Sequence, residues 1–234
     1  MTVAQHSIRT AFRAVALAAA LAATGQAGSE PFSCPGVPVS ISGAEGETTG
    51  RICADAAAAI EMLESCGMPL GTPVEIALTD SLSPGCLGIY HCGEHRIDLL
   101  SPHAMEAARA PDSLFRDVPA APFYRSVITH ELAHAAFDGV PCPFAACPVT
   151  DELLAYAMQV RALPAELIAR VEARLPVDMP VGRDAFSVIQ LQMAPEHFIA
   201  KAHKHLASRP DPCGHVARIT AGEITYDREL FSDP

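Results

Sequence analysis

The residues of this chain best suited to chemistry are His130, Glu131 and His134, which form the pattern His-Glu-x-x-His. The largely apolar segment 123–129 precedes them, as expected for a buried helix. Histidines four positions apart on a helix lie one turn apart on the same face, so both imidazoles can bind one metal ion. Glu131 falls beside that face, where it can deprotonate a water molecule at the metal. The pattern predicts a hydrolytic metal centre with Glu131 as catalytic base.

A catalytic zinc site has three protein ligands and keeps one position open, so a third ligand is needed. Glu152, in the first turn of the next predicted helix, is the best candidate. Asp151 is its rival, because it is a neighbouring carboxylate. Asp151 is better suited to be a helix-start charge or an acceptor that orients a histidine ligand. We therefore expect Zn²⁺ as the cofactor, bound by His130, His134 and Glu152.

Residues 123–159 resemble the gluzincin class of zinc metallopeptidases, in which HExxH is followed by a glutamate on a downstream helix. Glu152-Leu153-Leu154-Ala155 fits that pattern, because the small Ala155 lets the two metal-binding helices approach closely. The tight loop 138–148 differs from the longer insertions of the large peptidases. The chain is more similar to small exported bacterial proteins of uncharacterised function, a minimal gluzincin. The resemblance implies a zincin-like fold and a peptide or protein substrate, with the specificity left open.

Two tyrosines are candidates for contacts with substrate. Tyr156 lies one turn after Glu152 on the same helix face, so it is predicted as a catalytic residue that hydrogen-bonds an oxyanion or a histidine ligand. Tyr90 lies on the first strand of a predicted hairpin, which in gluzincins pairs with extended substrate. Packing is the alternative role for both side chains.

Other polar residues give weaker indications. Asp138, one turn beyond His134, could orient an imidazole or face solvent at the end of the helix. His197, Lys201 and His205 are four positions apart and share one face of a predicted helix. Such faces are usually solvated, but a histidine from this helix could be an electrophile in the cleft.

The elements that must position these residues predict an α+β fold, a small sheet containing a β-hairpin with a mainly helical core. Strands are expected at 73–79, 87–91 and 96–100, the last two forming the hairpin around residues 92–95. Helices are expected at 51–66 (capped by Thr48 or Thr49, ending at Gly67), from Ser101-Pro102, at 121–138 (ending at Gly139) and at 151–163 (capped by Thr150). Further helices are expected near 165–175, 183–193 and 196–207.

The N-terminal residues indicate export. Arg9 and Arg13 precede a short apolar run at 14–23, and Gly25-Gln26-Ala27 fits a cleavage site. We therefore expect a signal peptide at 1–27 and a single domain at 28–234, periplasmic or extracellular in a bacterium. The apolar run is too short for a membrane anchor.

The eight cysteines all follow the predicted signal peptide, and an even number in an exported chain predicts disulfides. The close pairs Cys86/Cys92 and Cys142/Cys147 are the expected local bridges. The spacing leaves the pairing of the other four open; they are Cys34, Cys53, Cys66 and Cys213.

The net charge of -11 becomes -13 when the two arginines of the signal peptide are removed. This excess of acid argues against nucleic acid or an anionic membrane surface as a partner. The favoured function is an exported zinc-dependent hydrolase of the metallopeptidase type. The alternative is a non-catalytic, disulfide-stabilised exported module with a structural or inactive zinc site, and a binding domain without metal ranks below both.

Overall fold

The computed structural model describes residues 30–174, 177 and 180–228. The predicted signal peptide lies outside these residues. The strands are β1 (Phe32–Ser33), β2 (Val39–Ser42), β3 (Val74–Thr79), β4 (Gly88–His91) and β5 (Arg96–Leu100). The helices are α1 (Gly46–Ser65), α2 (Pro102–Ala108), α3 (Ala120–Phe137), α4 (Pro148–Arg161), α5 (Ala165–Arg174), α6 (Val188–Met193), α7 (Pro195–Ala207) and α8 (Pro212–Thr220), with a 3₁₀ turn at Arg183–Ala185.

The strands form one mixed sheet in the order β1-β2-β3-β5-β4. Strands β2, β3 and β5 are parallel, whereas β4 runs antiparallel to β5 at one edge. Ile76 lies opposite Ile41 and Ile97, and all three are buried. Alternate residues of a strand point to one face, so this row of isoleucines marks the core side of the sheet. The fold is α+β, as the sequence predicts.

Helix α3 is the central element of the helical half and packs against α1, α4 and β4. Residues 126–133 are all buried, including the polar ones. A helix buried on every side has no solvated face on which to place charge. Its His130 and Glu131 are therefore held inside the protein, next to the edge strand.

The predictions that rest on short sequence patterns, namely turns, helix caps and helix ends, are mostly confirmed. The hairpin forms, Ser101 caps α2 by accepting a hydrogen bond from the Ala104 N–H, and α1 and α3 end before Gly67 and Gly139, which have positive φ angles of 76° and 85°. The start of α1 was predicted too late, because the helix begins at Gly46 and includes Thr48 and Thr49.

Strands β1 and β2 and helix α8 were not predicted. The two strands are only two and four residues long, too short for a clear periodicity. Helix α8 did carry a local signal, since Asp211 precedes Pro212 and its side chain accepts from the Gly214 N–H. None of the described helices is long and apolar enough to cross a bilayer.

Three disulfides tie the fold together, which fits an oxidising compartment. The predicted local bridge Cys142–Cys147 is confirmed, and it closes the loop between α3 and α4. The pairings that the sequence left open are Cys34–Cys53 and Cys66–Cys213.

The predicted bridge between Cys86 and Cys92 is wrong, because both are free thiols. The two residues lie on either side of the extended strand β4. The four residues of this strand span about 13 Å, whereas the Cα atoms of a disulfide lie within about 7 Å. The bridge and the strand are therefore incompatible.

Candidate metal centre

Helices α3 and α4 bring together the three predicted metal ligands. One ligand atom each from His130, His134 and Glu152 lies within 4.8 Å of the other two. The two histidine Nε2 atoms are 3.0 Å apart, and Glu152 Oε2 lies 3.7 Å from one and 3.9 Å from the other. Among the described residues, these three form the cluster that could hold a metal ion.

The donor chemistry of this cluster fits zinc. Glu152 Oε2 is buried and has no hydrogen-bond partner among the described residues. A buried carboxylate oxygen without a partner is costly, and a cation between it and the two imidazoles removes that cost. Two histidine nitrogens and one carboxylate oxygen are a ligand set that zinc uses in catalytic sites.

Asp151 orients His134 and is not part of the ligand cluster. Its Oδ1 lies 2.7 Å from His134 Nδ1, on the opposite side of the ring from the Nε2 that faces the cluster. Burial lowers the pKa of His134, but Asp151 and Glu152 outweigh it and raise this pKa to about 9. The metal-free protein therefore holds a proton on His134, which metal binding must displace. The contact supports the orienting role for Asp151 over that of rival ligand.

His130 is the neutral member of the pair. Burial and the neighbouring His134 lower its pKa well below its ordinary value, and Gln159 opposes them. His130 Nδ1 is buried without a hydrogen-bond partner in the described structure. A neutral imidazole is the form that binds a metal ion.

Glu131 is buried beside the cluster and packs directly against Gly88 of the edge strand. A Cβ atom at position 88 would lie 2.5 Å from Glu131 Oε1 and 2.7 Å from its Cδ. A larger residue at position 88 would therefore displace the Glu131 carboxylate from its present position. Burial raises the pKa of Glu131 to about 7, near the value that suits a group that both accepts and returns a proton.

Gly88 is a functional position that sequence reasoning missed. Its signal was a glycine inside a strand, which often marks a close approach of another group to the backbone. The partner, Glu131, is 43 positions away in the sequence. The glycine in the strand therefore indicated a close contact but could not identify Glu131 as the partner.

The cluster opens into a cleft of about 580 Å³. Helix α3 runs along it, from Phe123 through Val127 to His134. The remaining walls come from β4 and the residues on either side of it, from α4, from the end of α2 with the segment that follows, and from the start of α7. A cleft of this size suits a small molecule or a few residues of a peptide.

Tyr156 lies where its predicted role requires. Its ring lies 4.5 Å from the ring of His130 and 6.2 Å from that of Phe198, measured between centroids, and it lines the cleft. Burial raises the pKa of Tyr156, so the hydroxyl stays protonated and can donate a hydrogen bond. Packing and donation to substrate are compatible in this position, and the catalytic role stays a prediction.

Tyr90 and Asp138 join the hairpin to the end of α3. The Tyr90 hydroxyl donates to Asp138 Oδ2 at 2.7 Å, and the Gly93 N–H donates to the same atom at 3.0 Å. Asp138 does not orient the ring of His134, because the histidine ring that its carboxylate approaches is that of His95, at 3.7 Å. For Tyr90 the structure supports packing, because its hydroxyl is already bound.

The histidines of α7 do not supply an electrophile to the cleft. His197 is exposed, and His205 is fully buried against the Val181 carbonyl and the Tyr226 hydroxyl. Among the cleft-lining residues, α7 instead provides Glu196 and Ile199. Sequence periodicity placed the stripe on a helix but could not say which way the helix faces.

Asp227 fixes the start of α4. Its carboxylate accepts hydrogen bonds from the Val149 N–H at 2.9 Å, the Thr150 N–H at 3.0 Å and the Thr150 hydroxyl at 2.6 Å. The predicted cap at Thr150 is wrong, because α4 begins at Pro148 and Thr150 lies within its first turn. A carboxylate distant in sequence thus caps the first turn of α4, which contains Asp151 and is followed directly by Glu152.

Comparison with known protein families gives one match, over residues 39–229, to DUF6639, described as a family of unknown function. The chain belongs to this family. The matched range includes β2 to α8, the three candidate ligands and Asp227. Neither the curated proteins nor the solved structures contain a match to the chain.

Proposed function

We propose that this member of DUF6639 is an exported zinc-dependent hydrolase that cleaves peptide bonds. The observation that carries the proposal is the convergence of His130, His134 and Glu152 at the floor of an open cleft, with Glu131 buried beside them. The resemblance of residues 123–159 to gluzincins agrees with this arrangement.

Each residue of the site has a distinct role in the proposed reaction. His130, His134 and Glu152 would hold Zn²⁺, which when bound acidifies water and polarises a carbonyl. Asp151 keeps the ring of His134 in the required orientation. Glu131 accepts the proton of the attacking water and returns it to the leaving amine nitrogen. Tyr156 donates a hydrogen bond to the carbonyl oxygen as negative charge develops on it.

Three ligands favour a catalytic site over a structural one. A structural zinc site is closed by a fourth protein ligand. The cluster in the described chain has three members, and it faces the cleft. His205, the buried histidine of the C-terminal half, is bound elsewhere. The structural-site alternative therefore lacks, among the described residues, the closing ligand that it needs.

A peptide is the substrate that the walls of the cleft favour. Strand β4 is an edge strand that pairs with β5 on one side only, and it lines the cleft beside Glu131. Edge strands have main-chain groups that an extended peptide can bind. The three disulfides and the predicted signal peptide support action in the periplasm or outside the cell.

Replacement of Glu131 by glutamine tests the proposal. E131Q keeps the shape of the side chain but cannot accept a proton, so we expect turnover of a peptide library to fall by about 10²- to 10⁴-fold. Zinc content, measured by elemental analysis, should stay at the wild-type value. E61Q, the same change on the exposed face of α1, is the control and should retain activity. Unchanged turnover in E131Q, or turnover that resists chelation, would contradict the proposal.

A further inference from the structure

We propose that the cleft selects substrates with a cationic group and that Glu196 recognises this group; the inference rests on the proposed function. The chemical class is an ammonium or guanidinium joined to an apolar stem. Lysine and arginine side chains have this form, and a free peptide N-terminus offers the same ammonium.

Glu196 is held in place by the backbone and lies in the cleft wall. It is in the first turn of α7, and its Oε2 accepts a hydrogen bond from the Leu114 N–H at 2.7 Å. It lines the same cleft as His130 and Tyr156. The second carboxylate oxygen has no hydrogen bond within the described residues. A fixed carboxylate with a free oxygen is suited to bind a donor from a ligand.

The charges that line the cleft are mostly negative. Four carboxylates contribute to its lining, those of Glu131, Asp151, Glu152 and Glu196. A divalent cation in the ligand cluster balances only two of these charges. A cleft lined by one sign of charge attracts ligands of the other sign.

The one arginine of the cleft lining does not balance them. The Arg109 guanidinium donates to the carbonyl oxygens of Phe115 and Val118, at 3.0 and 2.5 Å, and pairs with Glu106. Arg109 is the only Lys or Arg among the described lining residues. Its charge is thus committed to the loop and to Glu106.

Arg174, whose charge lowers the pKa of Glu196, is paired with other groups. It donates to Asp117 Oδ2 at 3.1 Å and to the Asp112 carbonyl at 3.5 Å. Burial and the Asp112 carboxylate together raise the pKa of Glu196 more than the Leu114 N–H and Arg174 lower it. A cation from the substrate would stabilise this partly desolvated carboxylate.

The neighbourhood of Glu196 can hold an apolar stem. Ile199 follows one turn later on α7, and Phe115 packs against Phe123 with ring centroids 5.7 Å apart. Both phenylalanines line the cleft, together with Val127. Long cationic side chains bury their methylene groups on such walls and place the charged end at a polar group. This combination fits lysine better than a short or acidic residue.

The experiment compares lysine with norleucine, which has a similar stem without the ammonium. Quenched fluorescent peptides carry Lys, norleucine or Glu at each position in turn, with a free or an acetylated N-terminus. The zinc-loaded mature protein should prefer Lys to norleucine in kcat/KM by about tenfold at one position, as expected for one charged hydrogen bond. E196Q keeps an acceptor for the Leu114 N–H but loses the charge, so this ratio should fall towards one.

E166Q is the matched control, because Glu166 lies in the first turn of α5 and is exposed outside the cleft. It removes the same charge and should retain the ratio. If Lys and norleucine are cleaved equally, but acetylation of the N-terminus lowers kcat/KM for the wild type and not for E196Q, the recognised cation is the α-amino group, which also supports the role of Glu196. A preference that persists unchanged in E196Q, or a wild-type preference for norleucine or Glu, would overturn the inference.

A binding measurement separates this inference from the proposed function. The affinity of the same peptides for zinc-loaded E131Q, and for E131Q combined with E196Q, is measured by calorimetry. Selective binding of lysine peptides that depends on Glu196, without cleavage by the wild type, would contradict the hydrolase and support the cationic subsite. Cleavage without a Glu196-dependent preference would support the hydrolase and overturn the subsite.

Discussion

The protein contains two groups of buried histidines with different chemistry. In the ligand cluster, the Nε2 atoms of His130 and His134 face each other at 3.0 Å beside a carboxylate oxygen that has no hydrogen bond in the described structure. In the other group, His205 Nδ1 binds the Val181 carbonyl at 2.5 Å and its Nε2 binds the Tyr226 hydroxyl at 2.6 Å.

The second group is satisfied by its own neighbours. His215 Nε2 also binds the Tyr226 hydroxyl, at 2.8 Å, and the Arg209 guanidinium lies 2.7 Å from His205 Nε2. Burial and Arg209 lower the pKa of His215 to about 4, so the His215 imidazole is neutral near pH 7. Histidine content alone therefore does not define a metal site. A metal site is indicated instead by histidine nitrogens that converge, a carboxylate without a hydrogen-bond partner and an open cleft.

The largest expected difference between the two groups is in zinc affinity. H134A removes a ligand, so the affinity should fall by more than about a hundredfold, beyond the usual cost of losing an outer partner. H215A removes a histidine of the satisfied group and should leave zinc affinity unchanged. Competition with a chromophoric chelator measures both. Equal losses of zinc affinity in the two variants would contradict the assignment of His134, and not His215, to the metal site.

A second prediction concerns the partner that orients a ligand. D151N weakens the acceptor for His134 Nδ1, and zinc affinity should fall by about 10- to 100-fold. D138N is the matched control, because the Asp138 carboxylate binds the hairpin and no ligand. Its effect on zinc affinity should be smaller. The same chelator competition checks the pair, and a larger loss in D138N would argue against the orienting role of Asp151.

A third and smaller effect is expected at the start of α4. D227A removes the acceptor of three hydrogen bonds, so the free energy of unfolding of the metal-free protein should fall by about 1–3 kcal/mol. Denaturant titration in the presence of chelator measures this change. Zinc affinity should fall too, because the freed turn contains Asp151 and leads directly into Glu152.

The control for D227A is D211A, which removes the cap of α8, far from the ligands in the sequence. It should lower stability without weakening zinc binding. If D227A also leaves zinc affinity intact, the capping contact does not position Glu152.

The sequence predicted what depends on local spacing. The ligand helix, the hairpin and the presence of helix α4 follow from periodicity and from residues close to one another, so the ligand cluster could be assembled in advance. The predicted Cys86–Cys92 bridge was wrong, although the sequence held the information against it. The strand predicted between the two cysteines keeps them too far apart for a disulfide. Proximity in sequence was given more weight than the length of an extended strand.

The missed features depend on contacts between distant segments. Asp227 caps a helix 77 residues before it, and Gly88 accommodates Glu131 from another element. Asp138 turns to the hairpin and not to its own helix neighbour His134. No sequence pattern identifies such partners, because the packing of the sheet against the helices determines which distant residues meet.

The most direct test of the account is the zinc content of the oxidised mature protein beside its E152A variant. We predict about one zinc per wild-type chain after reconstitution and dialysis. Binding should be lost or sharply weakened in E152A, which keeps both histidines but removes the carboxylate. A wild-type protein that retains no zinc, or an E152A variant that binds it as tightly, would contradict the three-ligand centre.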